Sequence, residues 1–390
     1  MPDRFIYLDH SATTPVDERV VAAMMPYFSE IYGNPLSVHR LGRKAETGME
    51  DARDKMAKIL NCRPDEIVFT SGGSEGDNLA LRGVALASQQ LGRGTHLITS
   101  PLEHNAISRT AQQLAGVFGL PTTFLRPDHR GNITPDILRE AIQEGTVLVS
   151  LMLANNEIGT ILPIAELAAV AHEKGAYFHT DAVQATGQLD VDVQKLGVDL
   201  LSMSAHKFYG PKGVGALFVR EGVPLLPSQT GGSHESGRRS GTHNVPLIVG
   251  MATALDIAYA ERDQWVPHFI DLREHLIDSV LSTIPDVELT GERHDRLPSH
   301  ASFVFKYVNG NTLLMHLDMK GIAASSGSAC KTGNPAPSEV LLALGYDHDW
   351  AMGGLRLTVG RHTTHADIDY VIEVMPKVIE GVRRFSRVSD

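Results

Sequence analysis

Cysteine is nearly absent. The 390 residues contain two, Cys62 and Cys330. A disulfide framework or a cysteine-built metal knuckle needs more than that, so neither is expected, and no metal ion is assigned. One of the two is instead a candidate reactive thiol. No apolar stretch approaches the ~18 residues that a membrane helix requires, and no basic segment leads into an apolar one at the N-terminus. The expected compartment is therefore the cytoplasm, with no membrane partner. Dense Lys/Arg runs are also missing: 35 basic residues stand against 46 acidic ones, a net charge of −11. A nucleic-acid surface is accordingly not expected. Internal repeats, low-complexity segments and obvious linkers are lacking too. What remains, 42% hydrophobic and 21% charged residues, is the composition of an ordinary globular protein. The length suffices for two cores, a large and a small domain.

Apolar strands alternate with amphipathic helices along most of the chain. Tyr7–Leu8 reads as a short strand entering a polar turn. Residues 15–28 and 43–60 have helical spacing. Ile67–Thr70 reads as a β-branched strand running into Ser71-Gly-Gly-Ser-Glu75, with a helix over 78–90. Strand, glycine-rich turn and helix together offer free backbone N–H groups and a positive dipole end to a phosphate. Further strands are expected at 96–99, 122–125, 147–153, 177–179, 198–203 and 214–219, with helices at 105–116, 136–144 and 164–174. That alternation predicts an α/β fold, a mostly parallel sheet covered by helices on both faces. A long helical pattern over 247–284, broken near Pro267, leads to a smaller α+β unit. Its strands are expected near 301–305, 321–325 and 355–359, and its helices at 310–317, 338–344 and 366–385. The expected division is a large domain over 15–260 and a small one from 1–14 and 261–390.

Sites in parallel sheets lie at the carboxyl ends of the strands, and the chemistry-bearing residues cluster there: Gly72–Ser74, Glu103–His104, Asn155, Asp181 and Lys207. Lys207 follows an apolar strand in Ser204-Ala-His-Lys207. A lysine held in such a cleft is desolvated and readily deprotonated, as a Schiff-base lysine must be; a solvated loop lysine is the plainer reading of this motif alone. Asp181, one βα unit upstream, supplies an acid at a strand end, a position that also suits a helix N-cap. Lysine and aspartate together meet the needs of pyridoxal phosphate, one for its aldehyde and one for its ring nitrogen.

Motifs spanning nearly the whole chain carry a resemblance. They are Leu8-Asp-His-Ser-Ala-Thr-Thr-Pro15, Gly33-Asn-Pro35, Phe69-Thr-Ser-Gly-Gly-Ser-Glu75, Asn155-Asn-Glu-Ile-Gly159, Asp181-Ala-Val-Gln184 and Ser204-Ala-His-Lys207. Arg239-Ser-Gly-Thr242, Ser325-Ser-Gly-Ser-Ala-Cys330 and Leu355-Arg-Leu-Thr-Val-Gly-Arg361 complete the set. In these the chain resembles the class V aminotransferase type of fold-type I pyridoxal phosphate enzymes, and among them the cysteine desulfurases of the NifS/IscS kind. The resemblance implies that Lys207 bears the cofactor and moves the substrate α-proton. It implies that Asp181 pairs with the ring nitrogen, His104 stacks on the ring, and Gln184 and Asn155 reach its phenolic side or the substrate. It places the phosphate on Gly73, Ser74, Ser204 and His206, with Thr242 contributed by a second subunit of a homodimer. Gly73-Ser74 departs from the family's usual Ala-Thr pair, although a hydroxyl donor remains.

Cys330 lies in a stretch of small and turn-forming residues, expected as an exposed loop. A free thiol ionises near ~8.5, which leaves a useful thiolate fraction near neutrality; Cys62 has no such setting and is read as structural. The reaction implied is L-cysteine to L-alanine with a persulfide left on Cys330, then passed to a protein acceptor, an iron–sulfur scaffold or a thiolation factor. Arg356 is the expected grip on the substrate carboxylate. Arg361 is the competing choice, with pairing to a neighbouring acid as its other role. Selenocysteine lyase or another class V chemistry, and a non-catalytic scaffold of the sulfur system, are the alternatives on the same scaffold.

Overall fold

The computed structural model describes residues 4–326 and 336–386, with side chains up to Arg384. Cys330 lies outside the described residues. The chain opens with β1 (Ile6–Tyr7), then α1 (Glu18–Met24), α2 (Pro26–Ser29) and α3 (Arg40–Leu60). Pro26 explains why the helical spacing over 15–28 yields two helices: it lacks an N–H for α1 and restarts the chain at the first position of α2. In α3, Ala45, Met49, Ala52, Met56 and Leu60 recur at helical spacing and are all buried. Asn61, at φ 58°, ends the helix in the left-handed conformation.

The central elements follow in order: β2 (Ile67–Thr70), α4 (Gly73–Gln90), β3 (His96–Thr99), α5 (Asn105–Phe118), β4 (Thr122–Phe124) and α6 (Pro135–Ala141). Next come β5 (Thr146–Ser150), α7 (Ile164–Glu173), β6 (Tyr177–Asp181), α8 (Val193–Leu196), β7 (Leu200–Ser204) and β8 (Gly215–Val219). They build one seven-stranded sheet of order β2-β8-β7-β6-β5-β3-β4. The strands from β4 to β7 pair in parallel, while β8 runs antiparallel to both β7 and β2. Strands β2, β5 and β7 are buried throughout, which is why they read as continuous apolar runs instead of alternating ones.

The rest comprises α9 (Val245–Ala260), α10 (Arg262–Thr283), β9 (Val287–Leu289), β10 (His300–Phe305), α11 (Gly310–Asp318) and β11 (Ile322–Ala323). It ends with α12 (Glu339–Ala343), α13 (His348–Ala351), β12 (Gly354–Thr358) and α14 (His365–Ser386). The helical pattern over 247–284 breaks at Glu261, not at Pro267. Glu261 leaves helical geometry at φ −102°, ψ 3°, and its carbonyl accepts from both Gln264 and Trp265. It thus closes α9 and opens α10. Pro267 sits inside α10, where it removes one hydrogen bond without ending the helix.

One core packs α3, α7 and α9 against one face of the large sheet, and another packs α4 and α5 on the opposite face. A separate core gathers Phe269, Leu276, Phe303, Leu313, Leu357, Ile368 and Ile379 with Ile6 and Leu8 from the N-terminus. The N-terminal segment reaches it because β1 pairs in parallel with β11, Ile6 opposite Ile322. The antiparallel sheet β12-β10-β9 forms its floor. Among the described residues no helix is long and apolar enough to cross a membrane.

Candidate active site

A cleft of about 370 Å³ opens at the carboxyl ends of β6 and β7, where Asp181 and Ser204 are the last strand residues. Gly73 and Ser74 at the start of α4 form one wall. Ser11 and Ala12 form another, and Arg356 reaches in from β12. Ser204 leads into a single 3₁₀ turn over Ala205–Lys207, and Lys207 at its end lines the cleft. The N-terminal polar segment is fastened to this turn: Thr14 N–H donates to the His206 carbonyl at 3.0 Å, and Tyr209 N–H donates to Thr14 Oγ1 at 2.8 Å. Gly210 packs where a Cβ would come within 2.8 Å of the Ala205 carbonyl, so the turn after Lys207 closes only with glycine there.

Lys207 Nζ donates to the Ser11 carbonyl and, at 3.0 Å, to the Ala12 carbonyl. Burial lowers its pKa to about 8, and the positive charge of Arg356 adds to the effect. A neutral, nucleophilic amine is therefore accessible near neutral pH. Asp181 is buried, and burial raises its pKa although Val183 N–H donates to Oδ1 at 2.8 Å. The charges of His104 and Lys207 favour its ionised form.

The helix behind these groups begins five residues earlier than the sequence suggests, directly on Gly73, and its N-cap residue, Gly72, has no side chain to cap it. An uncapped helix N-terminus in a cleft is a cradle for an anion. Gly72 takes φ 156°, and a Cβ on Gly73 would lie 2.7 Å from Val183 Cγ2. Both positions thus favour glycine. Ser204, whose Cβ would lie 3.6 Å from a Cβ on Gly73, and His206 also line the cleft. Burial lowers the His206 pKa to about 4, so its imidazole is neutral and able to share a proton with an anion.

The structure places the remaining expected residues as follows. His104 caps α5 by accepting Ala106 N–H at Nδ1, 3.1 Å, which puts its ring proton on Nε2; it lines the cleft. Gln184 also lines the cleft, and its amide donates to the Ser11 carbonyl at 3.0 Å. Asn155 is buried and engaged in its own turn. Its Oδ1 accepts from Glu157 and Ile158 N–H at 2.8 and 2.9 Å, and its Nδ2 donates to the Leu102 carbonyl at 2.8 Å. The neighbouring Asn156 is the one that lines the cleft. Thr242 is exposed and lies away from the cleft of its own chain.

The two arginines separate cleanly. Arg356 lines the cleft, donating to the Asn156 carbonyl and Asp9 Oδ1, each at 2.8 Å, while its buried Nε has no partner among the described residues. Arg361 lies outside the cleft. It pairs with Asp17 at 3.2 Å, and its guanidinium carbon stands 4.3 Å from the centre of the Tyr209 ring.

Two buried acids, Asp77 and Glu157, were not legible as part of the site; Glu103 was legible at its strand end, but its burial was not. Asp77, on α4, lines the cleft; burial and the charge of Asp181 raise its pKa. Its one sequence signal is its register with Gly73 and Leu81, an acid on the stripe that faces the core. Burial pushes Glu103 up to about 8; its Oε1 accepts Met152 N–H at 3.1 Å and fastens the His104 turn to the end of β5. Burial pushes Glu157 up to about 7. Its Oε2 accepts the Ser338 hydroxyl at 2.5 Å, which ties the 155–159 turn to the N-cap of α12. Nothing in the local sequence pairs those two residues, 181 positions apart.

Taken together, the donor set fits a phosphorylated pyridine aldehyde. An uncapped helix end suits an anion, a buried carboxyl would suit a protonated ring nitrogen, and a desolvated amine would suit a carbonyl carbon.

The chain matches the family model described as aminotransferase class-V over residues 6–371. It is 46% identical, over 98% of its length and 96% of the relative's, to a protein named cysteine desulfurase IscS from Dictyoglomus turgidum. Among solved structures it resembles a NifS-like protein, with a TM-score of 0.90, 36% identity, and coverage of 97% of this chain and 100% of that one. It also resembles SspA, solved in complex with cysteine, with a TM-score of 0.78, 33% identity, and coverage of 92% of this chain and 100% of the other.

Proposed function

The chain belongs to the class-V aminotransferase family and is a cysteine desulfurase; from that premise we propose how its residues divide the work. Pyridoxal 5′-phosphate, when bound, supplies an electron sink for the charge that develops at the substrate α-carbon. Gly73, Ser74, Ser204 and His206 would hold its phosphate, with Thr242 of a second copy in a homodimer, and Asp181 would keep its ring nitrogen protonated. His104 would stack on the ring, and Gln184 would reach its phenolic oxygen. Asn155 acts by bracing the wall that carries Asn156 and His104. We take the chain to divide into a large domain over 15–260, holding the cores on both faces of the large sheet, and a small one from 1–14 and 261–390, holding the separate core.

Lys207 takes the proton from the α-carbon of L-cysteine, and a pKa near 8 lets the amine be free to do so at neutral pH. Arg356 binds the substrate carboxylate and so orients the α-proton toward Lys207; Arg361, already paired, serves the scaffold. The thiolate of Cys330 attacks the substrate sulfur. The carbon–sulfur bond breaks with its electron pair left on carbon, and a sulfur–sulfur bond forms. Protonation then releases L-alanine, and Lys207 and His104 are the groups that carry those protons. The persulfide on Cys330 passes to a protein acceptor, an iron–sulfur scaffold or a thiolation factor, in the cytoplasm.

The observation that carries this reading is the meeting in one cleft of a desolvated Lys207, a buried Asp181 and Arg356. The test is Cys330→Ser, measured by alanine formation beside a spectral titration with cysteine. Cofactor binding and the substrate-induced spectral change should persist, while alanine formation stops, because a serine hydroxyl cannot accept sulfur. Alanine release at the parent's rate would show that the thiol is not the nucleophile.

A further inference from the structure

Arg239 lies on the loop between β8 and α9, three residues before Thr242. Its Nε donates to Glu75 Oε1 at 2.7 Å and its Nη2 to Oε2 at 3.3 Å. The two side chains are only 19% and 23% exposed. Glu75 is the third residue of α4 and the acidic residue of its first turn. A carboxylate at that position can fold back and satisfy the free N–H groups of its own helix, and beside a phosphate it would repel the ligand. Here it does not fold back on its helix. Its Oε2 turns to Ser71 N–H, 2.7 Å away and ahead of the Gly72 cap, and its charge is matched by Arg239. Burial works against ionisation of Glu75, but the bonds from Arg239 and Ser71 hold its carboxyl below the usual range.

The loop itself is firmly seated. Ser240 Oγ donates to the Gly232 carbonyl at 2.5 Å, and Gln229 Nε2 donates to the Ser240 carbonyl at 2.8 Å. Four residues upstream of Arg239, Glu235 is buried with Arg53, at 2.9 Å, and His243, at 2.7 Å. Arg239 is therefore presented from a fixed base toward the start of α4.

We propose that Arg239 is a positioning residue for the anion cradle. Acting through Glu75, it fixes the Ser71-Gly72-Gly73 turn and cancels the one carboxylate in the first turn of α4, so that this helix end is open to a phosphate ester. The inference rests on the cofactor reading given above, and it assigns Arg239 and Glu75 no contact with the substrate.

The test is a double-mutant cycle on enzyme stripped of cofactor. Dissociation constants for pyridoxal 5′-phosphate and for unphosphorylated pyridoxal are measured by absorbance, with thermal midpoints as a check on folding. Arg239→Gln should weaken binding of the phosphorylated compound about tenfold, the scale of one charge-assisted contact, and leave pyridoxal within about twofold. Arg239→Lys, which keeps the charge and loses the fork, should recover part of the loss. In the Glu75→Gln background, Arg239→Gln should cost less than about threefold. An equal loss for pyridoxal, or an undiminished loss in the Glu75→Gln background, overturns the inference while leaving the cofactor reading intact. A parent enzyme that binds neither compound overturns both.

Discussion

Arg356 Nη2 donates to Asp9 Oδ1 at 2.8 Å across 347 positions of sequence, joining β12 to the N-terminal segment at the wall of the cleft. The same guanidinium holds the Asn156 carbonyl, and its buried Nε has no partner among the described residues. Its direction is thus fixed at the wall of the cleft, which is how a carboxylate clamp is pre-organised.

Arg356→Ala should lower kcat/KM for L-cysteine about 10- to 100-fold, the equivalent of losing a charged hydrogen bond of roughly 1.5–3 kcal/mol. Asp9→Asn, which loosens the guanidinium without removing it, should cost only several-fold. Steady-state kinetics decide the matter. Unchanged kcat and KM in Arg356→Ala would move the carboxylate site elsewhere.

The depressed pKa of Lys207 gives a pH signature. In enzyme stripped of cofactor, covalent capture of a carbonyl probe at Lys207 should rise about tenfold per pH unit and level off above about 8. An ordinary lysine would keep rising toward 10.5. Between those two values the unfolded chain binds the extra proton, so this group makes stability increase with pH over that window. Peptide mapping of the trapped product checks the site, and Lys207→Ala supplies the blank.

Glu157 behaves in the opposite sense. Burial raises its pKa from 4.5 to about 7, while Ser338 and the Arg356 charge oppose that rise and Glu339 adds to it. Its contribution is fully present below 4.5 and is lost as pH rises through about 7. Glu157→Gln should therefore gain on the parent in thermal midpoint between pH 6 and pH 8.5, by roughly 2–4 °C per kcal/mol. A midpoint difference that stays constant across that range would show that Glu157 does not titrate there.

The two cysteines should differ sharply in reactivity. Burial pushes the Cys62 thiol up to about 12, so it holds almost no thiolate near neutrality. An alkylating reagent at pH 7.5 should modify Cys330 and spare Cys62, and prior incubation with L-cysteine should place the extra sulfur on Cys330 alone. Mass analysis of the two peptides checks both statements.

Much of the fold was legible because its signals are local. The β-branched run Ile67–Thr70 and the strand His96–Thr99 match the structure residue for residue, since each is bounded by turn-forming residues and buried on both faces. Boundaries slipped where a helix end depends on packing: α4 starts on its glycines because Val183 and Ser204 close around them. The α9–α10 break fell at Glu261, where two caps share one residue, a feature that a proline count does not capture.

For the site, the sequence by itself determined the kinds of group available: a lysine and an aspartate at strand ends, a glycine turn before a helix, an arginine on a late strand. Residue type and short-range spacing carry that information. Only the tertiary structure decided which of them share a cavity and in what protonation state. Ser11 reaches Lys207 across 196 positions, Glu157 meets Ser338, and Arg356, not Arg361, enters the cleft. The acids Asp77 and Glu103 became part of the surroundings of Asp181 only once packing had buried all three. A pKa depends on how much water every neighbouring element excludes, and that is a property of the assembled fold, which no local stretch of sequence contains.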